Sequence, residues 1–341
     1  MYKLPAEWNK HLGTILSYPI EETFFDRTER AKGSFLQYVK YISEGEKVFI
    51  NFKSEDDLID FQKRLAKLKN INTSNIQTFI NQYDDVWCRD NCPIFVKDKN
   101  NNTIAIKFRF NAWGEKYPYK KDDELGKKLP ELLGIPKIEV DMILEGGAID
   151  IDDLGHLITT ESCLLNPNRN PNLTKEEIEN NLKKYLGAKK IYWLKEGIVG
   201  DDTDGHIDDI TRFVANKTII TAVEKDPNDE NYQILQENLK LLQSFKTIDE
   251  DNFKIIQLPM PEPIYYKYPN ETEETRLPAS YINFYITNKY VIVPIFNSKR
   301  DKEALEIIQQ NFPNKKVIGI YAGDIIVGLG AFHCLSQQIP E

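Results

Sequence analysis

The segment Ile210–Val223 (ITRFVANKTIITAV) decides our interpretation of the fold. β-branched and aromatic residues fill its two halves, and the polar pair Asn216-Lys217 separates them, which is typical of a β-hairpin. A helical stretch at Glu230–Phe245 follows, and then a further strand at Lys254–Leu258. This part of the sequence therefore predicts a hairpin, a helix and one more strand, which together form a ββαβ unit.

The same ββαβ unit occurs four times along the chain. The predicted hairpins span Pro93–Phe108, Ala148–Thr160, Ile210–Val223 and Ile282–Phe296. The helices that follow them are predicted at Asp122–Leu133, Lys175–Leu186, Glu230–Phe245 and Asp301–Phe312, and the closing strands at Lys137–Met142, Lys190–Leu194, Lys254–Leu258 and Lys316–Tyr321. Because one such unit cannot cover both faces of its small sheet, neighbouring units must pack together, most simply in a ring.

The N-terminal part of the chain predicts an incomplete fifth copy. Its predicted elements are the strands Thr14–Tyr18, Lys47–Phe52 and Ile76–Asn81, the helix Glu29–Ile42 and a second helix capped by Ser54. We expect the C-terminal segment Cys334–Pro340 to supply the strand that this copy lacks. No linker rich in Gly, Ser or Pro interrupts the pattern, so residues 1–341 are predicted to form one α/β domain.

Composition limits the functional classes. The 341 residues are 41% hydrophobic and 28% charged, as in a folded globular protein. The net charge of −9 argues against a nucleic-acid partner and favours a small cationic one. No apolar run is long enough to span a membrane, and the first residues lack the apolar core of a signal peptide, so we expect a cytoplasmic protein. The four cysteines do not suggest a disulfide framework, and a homo-oligomer is compatible with the sequence.

The loop before the hairpin at Ile210 is acidic. Asp201–Asp209 (DDTDGHIDD) places five carboxylates around the imidazole of His206. An isolated run of this kind is usually a solvated surface loop. Because Asp204, His206 and Asp208 alternate along an extended segment, a metal site is a second interpretation. A third interpretation is a pocket that binds an organic cation beside a titratable histidine.

Other loops with chemically useful residues precede the remaining strands. They are Trp87-Cys88-Arg89-Asp90, Glu145-Gly146-Gly147 and, near the C-terminus, Gly328–Cys334 (GLGAFHC). A ring of repeats directs equivalent loops toward one axis, so we expect these loops to converge although they lie far apart in sequence. The predicted site contains Asp90, Glu145, His206, Asp208 and Cys334.

These residue types suit chemistry on a guanidinium group. Asp90 and Asp208 can each accept paired hydrogen bonds from its planar N–H groups. Cys334 offers a thiolate nucleophile, and the glycines before it allow a ligand to approach the backbone closely. His206 can act as general acid for departing ammonia and as general base for water. Glu145 can hold the His206 imidazole in orientation.

Each residue also has a simpler explanation when it is taken alone. Asp90 could be a turn residue, and a glutamate such as Glu145 is usually a surface side chain. Two thiols, Cys88 and Cys92, are four residues apart but lack the second pair that a zinc site needs, so we expect no metal there. We expect Cys163 to be a core residue, and His333 to point away from the site.

Seven sequence blocks resemble the motifs of agmatine deiminases and the bacterial-type peptidylarginine deiminases. They are Trp87–Asp90 (WCRD), Asn111–Gly114 (NAWG), Glu145–Gly147 (EGG), Cys163–Pro171 (CLLNPNRNP), Asp202–Asp208 (DTDGHID), Pro278–Phe284 (PASYINF) and His333-Cys334. The blocks cover nearly the whole chain in the right order. The chain departs from the usual family pattern at Glu115, at Ala148 and at Ser17-Tyr18.

The resemblance implies a five-bladed α/β propeller with a central active site, and guanidine hydrolysis without a metal or an organic cofactor. The residue roles that it implies are Cys334 as nucleophile, His206 as acid and base, Asp90 and Asp208 as guanidinium ligands, Glu145 as partner of His206 and of the guanidinium, and Trp87 and Trp113 as pocket walls.

We therefore expect a small cationic guanidino substrate. The expected reaction is hydrolysis of agmatine to N-carbamoylputrescine and ammonia through a covalent intermediate on Cys334. The runner-up is deimination of free or peptidyl arginine. Two alternatives from other classes stay open at this point: a metal-dependent hydrolase built on Asp204, His206 and Asp208, and a binding protein without catalytic activity.

Overall fold

The computed structural model describes residues 2–269 and 271–341. The predicted single domain also includes Met1 and Asn270, which lie outside the described residues. The described chain forms a mixed α/β fold with five small sheets and one two-stranded ribbon, Tyr265–Tyr266 with Thr275–Arg276. The strands of the five sheets, given in chain order, are His11–Ser17, Lys47–Phe52, Ile76–Ile80 and Gln337–Pro340 in the first; Ile94–Lys97, Thr103–Arg109 and Lys137–Ile143 in the second; Asp150–Ile151, His156–Thr160 and Lys190–Leu194 in the third; Thr211–Ala215, Thr218–Val223 and Lys254–Pro259 in the fourth; and Tyr285–Ile286, Tyr290–Ile295 and Lys316–Tyr321 in the fifth.

The second to fifth sheets share the strand arrangement that the repeat predicts. In the fourth sheet, Thr211–Ala215 pairs antiparallel with Thr218–Val223, which pairs parallel with Lys254–Pro259. A parallel partner needs a long crossover, and the helix Asn231–Ser244 supplies it here. The second, third and fifth sheets have the same antiparallel and then parallel pairing. The predicted ββαβ repeat is therefore confirmed.

Two predicted strands are too long. The first strands of the third and fifth sheets are only Asp150–Ile151 and Tyr285–Ile286, whereas Ala148–Asp152 and Ile282–Ile286 were expected. A 3₁₀ turn at Gly146–Ala148 shortens the third-sheet strand. In the fifth sheet, the residues before Tyr285 form a loop that turns toward the C-terminal segment. These segments are part of the candidate site and do not extend the sheets.

The first sheet contains the first and the last strand of the described chain, His11–Ser17 and Gln337–Pro340. Its strand order is Gln337–Pro340, His11–Ser17, Lys47–Phe52, Ile76–Ile80. The C-terminal strand pairs antiparallel with His11–Ser17, and the other two strands are added in parallel. The expectation that the C-terminal segment completes the N-terminal copy is therefore confirmed.

The described residues form six longer helices, and the five whose ends were predicted begin and end within two residues of those positions. The six helices are Thr28–Ser43, Glu55–Leu65, Lys120–Leu133, Lys175–Leu186, Asn231–Ser244 and Asp301–Asn311. Shorter α-helical turns are Glu21–Phe24, Cys88–Asn91, Ala112–Glu115, Glu161–Leu164 and Phe332–Leu335, and the 3₁₀ turns are Phe25–Arg27, Thr73–Asn75, Gly146–Ala148, Ile207–Asp209 and Ile326–Gly328. The Ser54 side chain accepts from the Asp57 amide as predicted, and Thr174 and Glu177 form a capping box.

Hydrogen bonds link each sheet or its loop to the next one in chain order, and the fifth to the first. They are Thr103 Oγ1 to Pro340 O (3.2 Å), Asn170 Nδ2 to Ile143 O (2.8 Å), Phe213 N to Asp150 Oδ2 (2.5 Å), Arg212 Nη1 to Phe284 O (3.0 Å) and Asn288 Nδ2 to His11 O (2.8 Å). Apolar side chains form two buried clusters, the smaller one between the second and third sheets. Within the described residues, no helix is both long and apolar enough to cross a membrane.

Candidate active site

The predicted site residues lie in loops that lead into the first strand of a sheet or into the C-terminal strand. Asp90 belongs to the turn Cys88–Asn91, which precedes the second sheet, and Glu145 precedes the third. His206 directly precedes the 3₁₀ turn Ile207–Asp209, which leads into the fourth sheet, and Asp208 lies within that turn. Cys334 lies in the turn Phe332–Leu335, before the C-terminal strand.

The structure brings four of the predicted side chains together. The His206 Nδ1 atom lies 3.8 Å from Oδ2 of Asp90 and 4.0 Å from Oδ1 of Asp208. The Sγ atom of Cys334 lies 3.6 Å from Oδ2 of Asp208. All four residues are at most 6% exposed. Two carboxylates, an imidazole and a thiol therefore share one small buried volume.

Trp113 and Gly147 fix the Asp90 carboxylate. Trp113 Nε1 donates to Oδ2 at 3.0 Å, and the Gly147 amide donates to Oδ1 at 2.9 Å. A Cβ atom at Gly147 would lie 2.6 Å from His206 Nδ1 and 2.9 Å from Asp90 Oδ1, so only glycine fits there. Burial, together with the nearby charges of Asp208 and Glu145, raises the pKa of Asp90 to about 6.

His333 contacts Asp208, contrary to the expectation that it points away. Its Nδ1 lies 2.5 Å from Asp208 Oδ2, and its Nε2 lies 2.8 Å from Glu7 Oε2. Glu7 also pairs with Arg89 (3.2 Å) and Arg212 (3.0 Å), so the ring is held in a buried ionic network. Although burial favours the neutral acid, the hydrogen bond and charge of His333 keep the pKa of Asp208 below its usual value.

Glu145 does not make the contact with His206 that was predicted. Its Oε1 accepts a 2.6 Å hydrogen bond from Arg169 Nε, and its Oε2 has no hydrogen-bond partner. Neither ring nitrogen of His206 has a hydrogen-bond partner among the described residues. A fully buried carboxylate pairs preferentially with a guanidinium, because charge and planar geometry match. Glu145 therefore lies beside the imidazole without orienting it by a hydrogen bond.

A hydrogen bond to Asp201 in the acidic loop holds the backbone of His206 in place. Its amide donates to Asp201 Oδ2 at 2.9 Å, and Asp201 Oδ1 accepts from the Thr203 amide at 2.8 Å. Gly205 has a φ of +101°, a conformation that favours glycine at this sharp turn. Burial alone would lower the pKa of His206, but Asp90, the neighbouring Cys163 thiol and Asp208 raise it well above the usual value. The ring is thus prepared to carry a proton.

Cys334 lies in an anionic environment. Burial, followed by the charges of Asp208, Asp209 and Asp90, raises the pKa of its thiol well above the usual value. The Asn283 amide acts in the opposite direction by donating to Sγ at 3.0 Å. The thiol is therefore neutral near neutral pH unless a cation enters the site.

A cavity of about 630 Å³ reaches Asp90 and Cys334, whereas His206 and Asp208 are not among its described lining residues. Its lining includes four residues predicted for the site: Trp87, Asp90, Trp113 and Cys334. The acidic lining residues are Glu22, Asp85, Asp90, Asp201, Asp202 and Glu271, and the aromatic ones include Phe25, Tyr117 and Tyr268. In the part of the chain that the structure describes, no Lys or Arg lines the cavity. The acidic and aromatic side chains of this lining suit an organic cation with an apolar stem.

The proposed metal ligands Asp204, His206 and Asp208 do not form one group. Asp204 instead accepts from Lys116 Nζ at 2.9 Å and from Arg169 Nη1 at 2.6 Å. Two other triads have ligand atoms within 4.8 Å of one another: Glu145, Cys163 and His206, and Asp208, Asp209 and Cys334. The hypothesis of a metal site built on Asp204 is therefore wrong.

All four cysteines, in which the sequence suggested no disulfide framework, are free thiols. Cys163 is buried as expected, but it lies beside His206 and 3.9 Å from Arg169 Nη2. The Cys88 thiol lies 3.3 Å from Ser17 Oγ in the core.

A family model described as Porphyromonas-type peptidyl-arginine deiminase matches residues 3–340. The chain belongs to this family. A cysteine-to-serine variant of the agmatine deiminase of C. jejuni, with substrate bound, is 34% identical and has a TM-score of 0.89, with 100% of this chain and 97% of that chain covered. The agmatine deiminase of Enterococcus faecalis is 29% identical with a TM-score of 0.92, covering 100% and 96%.

A more distant similarity concerns the fold alone. An amidinotransferase from Microseira wollei is 13% identical with a TM-score of 0.51, covering 99% of this chain and 96% of that chain. Family membership and the agmatine deiminase structures together identify the protein as an enzyme that acts on a guanidino group.

Sequence reasoning missed Glu7, Arg169 and Asn283 as parts of this deiminase-family site. Two of them lie in blocks that carried the family resemblance: Arg169 in Cys163–Pro171 and Asn283 in Pro278–Phe284. Those blocks were the available signal, although nothing in their spacing shows which side chain turns toward the site. No sequence signal distinguishes Glu7 from other glutamates near the N-terminus.

Proposed function

We propose that this enzyme hydrolyses agmatine to N-carbamoylputrescine and ammonia. The observation that carries the proposal is the charge of the cavity, whose described lining contains six carboxylates and no Lys or Arg. Agmatine carries a guanidinium at one end and an ammonium at the other, so both of its ends are cationic. Free arginine would place its α-carboxylate in the same acidic cavity without a cation to pair with, which costs binding energy.

The guanidinium is proposed to bind between Asp90 and Asp208. Each carboxylate is buried, and Asp208 keeps its Oδ1 without a partner among the described residues. The planar guanidinium carries paired N–H groups that can donate a hydrogen bond to this oxygen and further hydrogen bonds to both carboxylates. The rings of Trp87 and Trp113 line the same cavity and can pack against the cation and its stem.

The first chemical half begins when the bound guanidinium lowers the pKa of Cys334, and the thiol releases its proton to solvent through the cavity to give the thiolate. The sulfur attacks the guanidinium carbon, and the electron pair of one C–N π bond moves to nitrogen. The resulting tetrahedral adduct collapses with cleavage of a C–N bond, and His206 supplies the proton that lets ammonia leave. A thiouronium on Cys334 remains.

The second half is hydrolysis of this intermediate. His206, now neutral, accepts a proton from a water molecule that takes the place of ammonia. The new C–O bond gives a second tetrahedral adduct. Its collapse breaks the C–S bond and returns the electron pair to sulfur, and the hydroxyl proton of the adduct passes to that sulfur as the C=O bond forms, which restores the neutral thiol. The ureido product then leaves. That the related C. jejuni structure is a cysteine-to-serine variant with substrate bound supports a cysteine at the centre of this chemistry.

We also propose that the five sheets are the blades of a five-bladed α/β propeller. The support is that hydrogen bonds join consecutive sheets or their loops and connect the fifth back to the first, as in a closed ring. The loops that enter the sheets then lie around one axis, which accounts for the convergence of Asp90, His206, Asp208 and Cys334.

The test is release of ammonia from agmatine, free arginine and an arginine peptide with blocked ends, measured side by side. We expect agmatine to have the highest kcat/KM. Deimination of peptidyl arginine is the second candidate, because the matching family model is described by that activity. A blocked peptide that reacts faster than agmatine would favour this candidate, and ammonia from none of the three substrates would contradict both.

A further inference from the structure

Glu145, Cys163 and His206 bring three different metal-binding groups together. A carboxylate oxygen, the thiol sulfur and a ring nitrogen all lie within 4.8 Å of one another. All three residues are fully buried, and they come from the loop before the third sheet, the turn Glu161–Leu164 and the loop before the fourth sheet. The reaction steps proposed above use only His206, so this cluster offers chemistry that the deimination of agmatine leaves unused.

Two of these residues have buried polar atoms without a partner. Oε2 of Glu145 and both ring nitrogens of His206 make no hydrogen bond to any residue of the ranges 2–269 and 271–341. The other oxygen of Glu145 accepts from Arg169 Nε at 2.6 Å, so Oε2 is the atom that stays free. Because nearly all buried polar atoms are paired, unpaired ones beside a thiol indicate a place where an ion can bind.

The protein holds these groups on connected loops. Thr160 Oγ1 accepts from the amide of Cys163 at 3.4 Å and donates to the carbonyl oxygen of Gly205 at 2.6 Å. Thr160 therefore ties the turn that carries Cys163 to the residue before His206. With bonds of about 2.0–2.3 Å to a metal, ligand atoms lie roughly 3–4 Å apart, so shifts on the order of 1 Å complete the site.

The charges around the cluster favour a divalent cation. The carboxylates of Asp90 and Asp208 lie 3.8 Å and 4.0 Å from Nδ1 of His206, and Glu145 adds a third. Arg169 contributes one positive charge, and its contact with Glu145 orients that ligand from outside, as such contacts do in metal sites. Asp90 also lines the cavity, so a cation that enters the cavity reaches His206 past this carboxylate.

We propose that Glu145, Cys163 and His206 form a Zn²⁺-binding site whose occupation inhibits the enzyme. Sulfur, imidazole nitrogen and carboxylate oxygen together suit Zn²⁺, whereas Mg²⁺ takes oxygen ligands. Each group forms one bond to the ion, and the thiol proton and any proton on the coordinating nitrogen pass to solvent through the cavity. Inhibition rests on the proposed function, because a metal-bound imidazole can no longer give or accept the proton.

Co²⁺ is the probe for the site, because it occupies zinc sites and its bond to a thiolate absorbs in the near ultraviolet. The full-length enzyme is reduced, freed of reductant and titrated with CoCl₂ without substrate. The variants are Cys163→Ala, Cys163→Ser, Cys334→Ala, which tests the second ligand triad, and Cys88→Ala, a control that removes a buried thiol outside both triads. Circular dichroism checks that each is folded. We expect the band in the wild type, Cys88→Ala and Cys334→Ala, and no band in the Cys163 variants.

Inhibition by zinc gives the second measurement. Ammonia release from agmatine is followed at increasing ZnCl₂, and each rate is divided by the metal-free rate of the same variant. We expect zinc to inhibit the wild type and Cys88→Ala, a chelator to restore the rate, and MgCl₂ to have no effect. Half inhibition of the folded Cys163 variants should need at least about tenfold more zinc, because even an outer contact of a metal ligand contributes about that much affinity.

The location of the cobalt band decides the inference. A band that persists in the Cys163 variants, disappears in Cys334→Ala or is missing from the wild type would overturn it. Equal zinc sensitivity of the wild type and the Cys163 variants would overturn it too. A band that depends on Cys163, in an enzyme that releases no ammonia from agmatine, would support the metal site and contradict the proposed function.

Discussion

The Nδ1 atom of His333 lies 2.5 Å from Oδ2 of Asp208, and this contact occupies only one of the two carboxylate oxygens. The other oxygen, Oδ1, is buried, has no hydrogen-bond partner among the described residues, and lies 4.0 Å from Nδ1 of His206. The hydrogen bond with His333 lowers the pKa of Asp208, which favours its carboxylate form. Asp208 is therefore an anion with one oxygen free for a substrate cation, and the first prediction follows from this arrangement.

Replacing Asp90 or Asp208 by Asn keeps the size of the side chain but removes the charge that pairs with a guanidinium. Loss of one partner of a buried, hydrogen-bonded charge pair costs about 2–5 kcal/mol, or roughly 30- to several-thousand-fold in kcat/KM. We expect a loss in this range for each variant, measured as ammonia release from agmatine. Asp98→Asn, a change in an exposed turn, is the control and should leave the rate unchanged. A loss below about threefold in both site variants would contradict the assignment of these carboxylates to the guanidinium.

Cys334→Ser should abolish turnover and leave the fold intact. An alcohol is a much poorer nucleophile than a thiolate when no strong base activates it. Mass spectrometry of the wild-type enzyme, acid-quenched during turnover, should show an adduct on the peptide that contains Cys334. As a control, Cys88→Ser changes a buried core thiol and should retain the adduct. Turnover by Cys334→Ser at a rate near that of the wild type would exclude the covalent mechanism.

Affinity for agmatine should depend on the ionisation of Asp90. Its pKa is about 6 in the free protein, and a guanidinium pairs with the carboxylate form only. The complex therefore holds fewer protons at this group than the free enzyme does. Affinity should be constant well above pH 6 and fall by about tenfold per pH unit below it. Calorimetry with inactive Cys334→Ser measures this without turnover. Affinity that rose as the pH fell through about 6 would show that Asp90 does not pair with the cation.

Thiol reagents should discriminate by charge. In the free enzyme burial and the nearby carboxylates disfavour the Cys334 thiolate, whereas a bound cation favours it. We expect 2-chloroacetamidine, which is cationic, to alkylate Cys334 much faster than neutral 2-chloroacetamide of the same shape. The preference should shrink in Asp90→Asn, and alkylation by the neutral reagent should rise. Equal rates for both reagents with the wild-type enzyme would show that the pocket is not organised around a guanidinium-like cation.

Removal of divalent metals should leave turnover unchanged. The motivation is that the oxygens of Asp90 and Asp208 are assigned to a guanidinium, which supplies positive charge where a metal would otherwise be needed. Dialysis against a strong chelator, with ammonia release as the measurement, tests this, and dialysis without chelator is the control. Activity that disappeared and returned on addition of zinc or manganese would instead favour a site at one of the two ligand triads.

The sequence by itself determined the repeat and the residue types of the site. Hydrophobic alternation and turn residues mark hairpins such as Ile210–Val223, because these signals depend on neighbouring residues only. The loops before them could be located for the same reason, and with them Asp90, His206, Asp208 and Cys334. The family resemblance added Trp113, whose indole N–H contacts Asp90 in the structure.

The tertiary structure decided the partners of these side chains. Glu145 pairs with Arg169, and His333 points toward Asp208 and Glu7. These pairings join residues that are far apart in sequence, up to 326 positions for Glu7 and His333. A buried charge takes whichever partner the packed loops place within about 3 Å, and local sequence carries no record of that choice. The local pattern therefore determines which chemical groups are present, whereas packing determines their pairing and their pKa shifts, as in the contact between the Asn283 amide and the Cys334 sulfur.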